Sequence, residues 1–280
     1  MTYRTLLVHV DNSRQCHARL EFAVDFARRL PAHLTGIYLP FHPPGFPDVT
    51  RSAGAGLPPP PAPESDTERL ARAEQMFRDI CRRQAVSHEW LTPLYDESSE
   101  MRTHARYADL VIVGQQDRND AETSPAVGFV ESTVLGGGRP VLILPYAGKL
   151  PQAFNNVLLA WDGGREAARA AADAMPLLTA AKTVHVMHVG RGNHPDDLGP
   201  IPGLDIGMFF ARHGINVEVT PERGTKDVSV AETLLSRAAD MNIDLIVMGG
   251  YGHSRMQEWV LGGVTRTLLE TMTVPVLMSH

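Results

Sequence analysis

An apolar run, Leu245-Ile246-Val247-Met248, opens into Gly249-Gly250-Tyr251-Gly252, and after nine further residues the chain reads Gly262-Gly263-Val264-Thr265. Glycines at a strand exit tolerate positive φ and let backbone amides come close to an anion. A Gly-Gly pair ahead of a helix leaves the unpaired N–H groups of its first turn open to the same anion. Two such loops facing one crevice suit a polyphosphate. The pattern is neither a Walker A loop, since no Gly-Lys-Ser/Thr follows, nor a G-x-G-x-x-G fingerprint directly after a first strand. Taken singly, each glycine also fits a plain turn or a helix end; together, at these spacings, they favour phosphate binding.

Other reactive constellations are missing from the sequence. Cys16 and Cys81 lack a Cys-x-x-Cys neighbour, so neither a disulfide framework nor a thiolate metal site is expected. Both read as small buried thiols. Of the 12 histidines, His185 and His188 lie three apart on a predicted strand, which turns them to opposite faces and prevents them from sharing an ion there. No His-Glu-x-x-His or Gly-x-Ser-x-Gly occurs, and we expect no protein-built metal site.

The elements that must position the glycine loops are repeated. Leu6-Leu7-Val8-His9-Val10-Asp11 matches Val157-Leu158-Leu159-Ala160-Trp161-Asp162, which sets two aspartates 151 residues apart at the ends of apolar runs. Asp109 to Gly114 matches Asp244 to Gly249, and Pro140 to Ile143 matches Pro275 to Met278, both at an offset of 135. The first copy therefore carries about 16 extra residues, and the proline-rich stretch from Pro43 to Pro63 supplies them. It reads as extended, solvated loop, disordered by default, and available to cover a crevice or meet a partner.

Helical periodicity fills the gaps between the runs: Leu20, Ala23, Val24, Ala27 and Leu30 in one place, Leu70, Ala73, Phe77, Ile80 and Cys81 in another. Ser65-x-x-Glu68 and Ser229-x-x-Glu232 have capping-box spacing, and Gly214 is placed to end a helix. Each copy reads β-α-β-α-β-α-β-α-β. Strands without polar alternation, separated by helices, indicate a parallel sheet covered on both faces. Ligands of such sheets bind at the carboxyl ends of the strands.

With 26 basic against 32 acidic residues the net charge is −6, and no Lys/Arg block offers a phosphate footprint, so nucleic acid is not expected as a partner. The run Leu6 to Val10 contains His9 and is too short for a signal peptide, and no stretch approaches the ~18 apolar residues of a membrane span. A cytoplasmic protein is the expectation.

The motif Gly249-x-x-Gly252, nine residues, Gly262, with a strand before it and Val274-Pro275-Val276-Leu277 closing the copy, resembles the nucleotide motif of the universal stress protein family. The likeness extends over most of both copies. It implies an α/β chain of two tandem Rossmann-like (HUP-type) domains, 1–148 and 152–280, each a five-stranded parallel sheet with helices on both faces. It implies an adenine-nucleotide ligand, ATP, ADP or AMP, with Mg²⁺ as a companion. Asp162 would lie near adenine and ribose beside Ala160 and Trp161, and Val189 would line the adenine pocket. Met248, Gly249, Tyr251 and Gly252 would meet ribose and phosphate; Gly262, Gly263, Val264 and Thr265 would hold the phosphates. The family has Ser or Thr where this chain has Gly263, and the missing hydroxyl weakens triphosphate binding by roughly 1 kcal/mol.

Several of these positions have a second reading. Asp162 also fits a turn residue or a cap for a helix starting near Arg165. Trp161 fits core packing better than stacking on adenine. His253 and Arg255 fit either phosphate neighbours or a solvated loop. Binding without dedicated catalysis is the expectation, with slow ATP hydrolysis through Asp162 or His253, or an adenylyl transferase, as the enzymatic alternative.

The first copy has lost the loop. Gly249 corresponds to Gly114, but Gly252 corresponds to Asp117 and Gly262 to Val127; Gly263 meets Gly128. A carboxylate set against phosphates costs on the order of kcal/mol in a partly dry site, so no nucleotide is expected in this half. Asp11 reads as a helix cap, or as the remnant of an adenine pocket. The family pairs through its closing strands, here Val141 to Leu144 and Val276 to Met278, so an intramolecular pseudo-dimer is expected and a further homodimer is compatible with it. The functional reading is a nucleotide-responsive stress regulator, set against an interaction scaffold with a vestigial site.

Overall fold

The computed structural model describes residues 2–39, 66–93, 97–117, 119–120, 128–190, 203–223, 228–251 and 263–280. The apolar runs become β1 (Thr5–Val10), β2 (His33–Tyr38), β3 (His88–Leu91), β4 (Leu110–Gly114) and β5 (Val141–Leu144) in the first half. In the second they become β6 (Asn156–Ala160), β7 (Thr183–Gly190), β8 (Val217–Arg223), β9 (Leu245–Gly249) and β10 (Val276–Ser279). Between them lie α1 (Cys16–Arg29), α2 (Asp66–Arg83), α3 (Glu97–Ala105) and α4 (Phe129–Gly137), then α5 (Arg165–Asp173), a single turn α6 (Met175–Leu178), α7 (Leu204–Arg212), α8 (Val230–Asp240) and α9 (Gly263–Thr271). None of the described helices is long and apolar enough to cross a membrane.

The strand order is β3-β2-β1-β4-β5-β10-β9-β6-β7-β8. Each half is a parallel, doubly wound, five-stranded sheet, and the two join where β10 runs antiparallel to β5, with Val276 opposite Ile143 and Met278 opposite Val141. Alternation along the strands feeds two layers. Leu6, Val8 and Val10 join Leu20, Ala23, Val24 and Ala27 of α1 on one face, while Leu7 joins Met101 of α3 and Val134 of α4 on the other. Both layers continue across the junction: Phe22 and Phe26 of α1 pack on Phe154, with ring centroids 6.2 and 6.1 Å apart.

Local signals act as their chemistry requires. Ser229 Oγ accepts from the Glu232 amide and the Glu232 carboxylate accepts from the Ser229 amide, a complete capping box on α8. Gly214, at φ 73°, follows the end of α7. The repeated aspartates before β4 and β9 are clasps at the amino ends of the strands. Asp109 Oδ2 accepts from the amides of Arg4 and Thr5 at 2.7 and 3.0 Å, and Asp244 Oδ2 from those of Asn155 and Asn156 at 2.8 and 2.9 Å. The stretch Pro43 to Pro63 and Ser65, expected from its spacing to cap a helix, lie outside the described residues.

Candidate functional site

In the second half the strand order reverses between β6 and β9, and the carboxyl ends of these strands flank the crevice where such sheets take ligands. Ala160 ends β6, in register with Met187 on one side and Met248 on the other. Trp161 is half-buried against the core; its amide donates to Met187 O at 2.8 Å, and its carbonyl accepts from His188 Nδ1 at 2.8 Å. Trp161 thus packs. Asp162 is exposed, and its Oδ1 accepts from the Gly164 amide at 2.8 Å. It holds the turn and does not cap α5, whose N-cap is Gly164, without a side-chain bond.

Val189 lies in β7 opposite Glu222. Met248 is buried in the sheet. Gly249 is pressed against the first turn of α5, where a Cβ would lie 2.6 Å from Ala167 N and 2.7 Å from Glu166 C. Its lack of a side chain is therefore needed for packing, whatever ligand comes near. Glu166 is buried in that same turn, which the helix dipole favours for a carboxylate. Burial would raise its carboxyl, but the hydrogen bond from Arg165 Nε overcomes this and holds it below the ordinary range.

Gly250 donates its amide to Ser279 O at 2.8 Å, and its carbonyl accepts from His280 Nδ1 at 2.9 Å. Tyr251 takes a left-handed backbone, φ 60°, and its side chain is half-buried among the α4 and α9 layer. Burial and the nearby Glu131 of α4 push its phenol upward, so it stays protonated. The Tyr251 side chain thus packs at the junction between halves, and its Oη is buried with no hydrogen-bond partner among the described residues. Gly263 opens α9 with nothing within 4 Å of where its Cβ would be, Val264 is half-buried and Thr265 is buried. Because α9 returns from the carboxyl end of β9 to the amino end of β10, its first turn lies at the crevice end of the sheet. Gly252, Gly262, His253 and Arg255 lie outside the described residues. Among the described residues no group of three His, Cys, Asp or Glu side chains could hold a metal ion.

The crevice of the first half, between β1 and β4, is built differently. Arg19 projects from α1 over the strand ends: its Nη2 meets Asp11 Oδ1 at 2.7 Å and its Nε donates to His9 O at 2.8 Å, both in full burial. Its Nη1 lies 2.2 Å from where a Cβ on Gly114 would be. A guanidinium thus covers Gly114, the counterpart of Gly249. Asp11 is not a helix cap, since the N-cap of α1 is Gln15. Its carboxylate serves Arg19 and the Ser13 amide and hydroxyl instead, at 3.0 and 2.6 Å. Burial would raise the Asp11 carboxyl, but Arg19 foremost, then His9 and Ser13, hold it below the ordinary range. His9, with Nε2 donating to Leu39 O at 3.0 Å, is pushed down to about 4 by burial and is neutral at pH 7. Asp117, expected to repel phosphate, turns its Oδ1 onto the Asn119 amide at 2.9 Å; Val127 lies outside the described residues.

Residues 153–280 match the family model described as the Universal stress protein family. A universal stress protein of Synechocystis is 27% identical over 172 residues, which cover 60% of this chain and 57% of that protein's length. Among solved structures, a universal stress protein of Archaeoglobus fulgidus covers 98% of this chain and 95% of its own, at 18% identity and a TM-score of 0.69. A functionally unknown protein of Pseudomonas aeruginosa covers 99% and 92%, at 16% identity and a TM-score of 0.64. Both share the fold through both halves.

Proposed function

Because residues 153–280 belong to the universal stress protein family, we propose that the chain binds one adenine nucleotide in its C-terminal crevice, and none in its N-terminal one, and serves as a nucleotide-responsive regulator. The observation that carries this reading is the contrast between the two crevices. Over Gly114 stands the buried guanidinium of Arg19, eight residues beyond Asp11. The residue eight beyond Asp162 is Ala170, which has no reach toward the strand ends, and the helix after β9 opens on the unobstructed Gly263.

On this reading Asp162 and the backbone of Ala160 and Trp161 meet adenine and ribose, with Val189 lining the base. Met248 and the backbone of Gly249, Tyr251 and Gly252 approach ribose and phosphate, and the amides of Gly262, Gly263, Val264 and Thr265 hold the phosphates, with Mg²⁺ accompanying ATP. Residues 1–148 and 152–280 form two copies of one domain, and the β5–β10 pairing supports a pseudo-twofold within one chain. A ligand that binds only the folded state raises its stability by about 2.7 kcal/mol at a hundred times Kd. Millimolar ATP, ADP or AMP is therefore expected to raise Tm; no shift with any of the three rejects the reading. Gly263→Ser restores the family's hydroxyl in open space, and about fivefold tighter ATP binding is expected from the one added bond.

A further inference from the structure

Among the described residues, the buried side chain of Gln115 carries a hydrogen bond from the N-terminal half to the proposed phosphate helix. Gln115 follows β4 and is 5% exposed. Its backbone amide donates to Leu144 O at 2.8 Å, its Oε1 accepts from the Tyr146 amide at 3.1 Å, and its Nε2 donates to Leu269 O at 2.9 Å. Leu269 lies in the last turn of α9, which ends at Thr271, where helix carbonyls lack an intrahelical partner. A side chain from the first half thus caps the helix whose opposite end carries Gly263, Val264 and Thr265.

The relation is not reciprocal. At the offset of 135 the counterpart of Gln115 is Gly250, which has no side chain to offer α4. There Val134 Cγ1 comes within 2.9 Å of the place a Cβ would take, and Tyr251 packs in the same layer. The first half grips α9 by one directed hydrogen bond, whereas what meets α4 from Gly250 and Tyr251 among the described residues is packing.

We infer that Gln115 is a positioning residue for the nucleotide site. By tying Leu269 O to the β4–β5 edge of the first half, it fixes the height of α9 along its axis and so where the amides of Gly263 to Thr265 present themselves. The half that has lost its own loop thereby acts as the brace of the half that kept one. This inference rests on the reading of the C-terminal crevice given above.

The test uses the full chain and ATP calorimetry. Gln115→Met keeps the volume and removes both bonds; Gln115→Glu keeps an acceptor for the Tyr146 amide and removes the donor to Leu269. Both are expected to weaken ATP binding about tenfold, since each leaves a buried carbonyl unpaired at the helix end. Tyr3→Phe is the control: it deletes another bond between halves, Tyr3 Oη to Asp173 O at 2.6 Å, and is expected to lower Tm while leaving ATP affinity within about twofold of the parent. Wild-type affinity in Gln115→Met, or equal weakening in Tyr3→Phe, overturns the inference. Hydrogen exchange on the unmodified chain needs no variant: ATP is expected to slow exchange at the Tyr146 amide, and an unchanged rate there overturns the inference even if Gln115→Met does not fold. A wild-type chain that binds no ATP overturns the site itself, and the brace with it.

Discussion

Arg19→Met is expected to destabilise the chain by about 3–5 kcal/mol, because it strands a buried carboxylate without its partner. Asp11 is 2% exposed and Arg19 likewise, and the guanidinium supplies the contact that holds the Asp11 carboxyl down against burial. Methionine fills most of the space but offers no donor to Asp11 or to His9 O. Pairing Arg19→Met with Asp11→Asn is expected to recover most of the loss: the charge is gone, while an amide oxygen still accepts from Ser13. The non-additivity is itself the sign of direct coupling. Urea unfolding of the four chains measures it. If Arg19→Met is as stable as the parent, or if the two substitutions simply add, the guanidinium is not the plug of that crevice.

Gly249→Ala is the second large effect. A methyl there would meet backbone atoms of Ala167 and Glu166 at 2.6 and 2.7 Å. Backbone yields less readily than the end of a flexible side chain, so the first turn of α5 must back away from β9. Overpacking of this kind costs about 1–3 kcal/mol, and the upper part of that range is expected. Gly263→Ala provides the contrast: nothing lies within 4 Å of its Cβ position, and a change within about 0.5 kcal/mol is expected, as for exposed sites generally. Equal stabilities for the two variants in chemical denaturation would mean that the strand–helix contact does not explain Gly249.

These two positions also mark where sequence reading succeeded and where it stopped. The repeat was legible because buried parallel strands must be continuous apolar runs, and each copy retains them with the same order and closing Pro-Val-Leu. Asp109 and Asp244 were visible as matched residues; that they clasp the amino ends of β1 and β6 needed the fold. Gly249 looked like a phosphate glycine, yet its packing against α5 comes from a partner about eighty residues earlier, which no local pattern encodes.

Arg19 left a signal that composition obscures. Cys16, Leu20, Ala23, Val24 and Ala27 define the buried face of α1, and Arg19 falls on that face with them. A charged residue inside an otherwise apolar stripe needs a buried partner, and Asp11 eight residues earlier supplies it. Gln115 left none: it bonds a carbonyl 154 residues away, and an isolated glutamine after a strand has no distinguishing mark. Residues whose partners come from the other half were the ones sequence could not rank, because their role exists only once β5 and β10 have paired.

The central claim is one competent crevice and one closed by its own side chains, and the number of ATP molecules bound per chain at saturation tests it most directly. Calorimetry is predicted to give one per chain, falling to none in Gly252→Asp, which writes the first half's carboxylate into the second. Two per chain, or one that survives Gly252→Asp undiminished, would contradict the account.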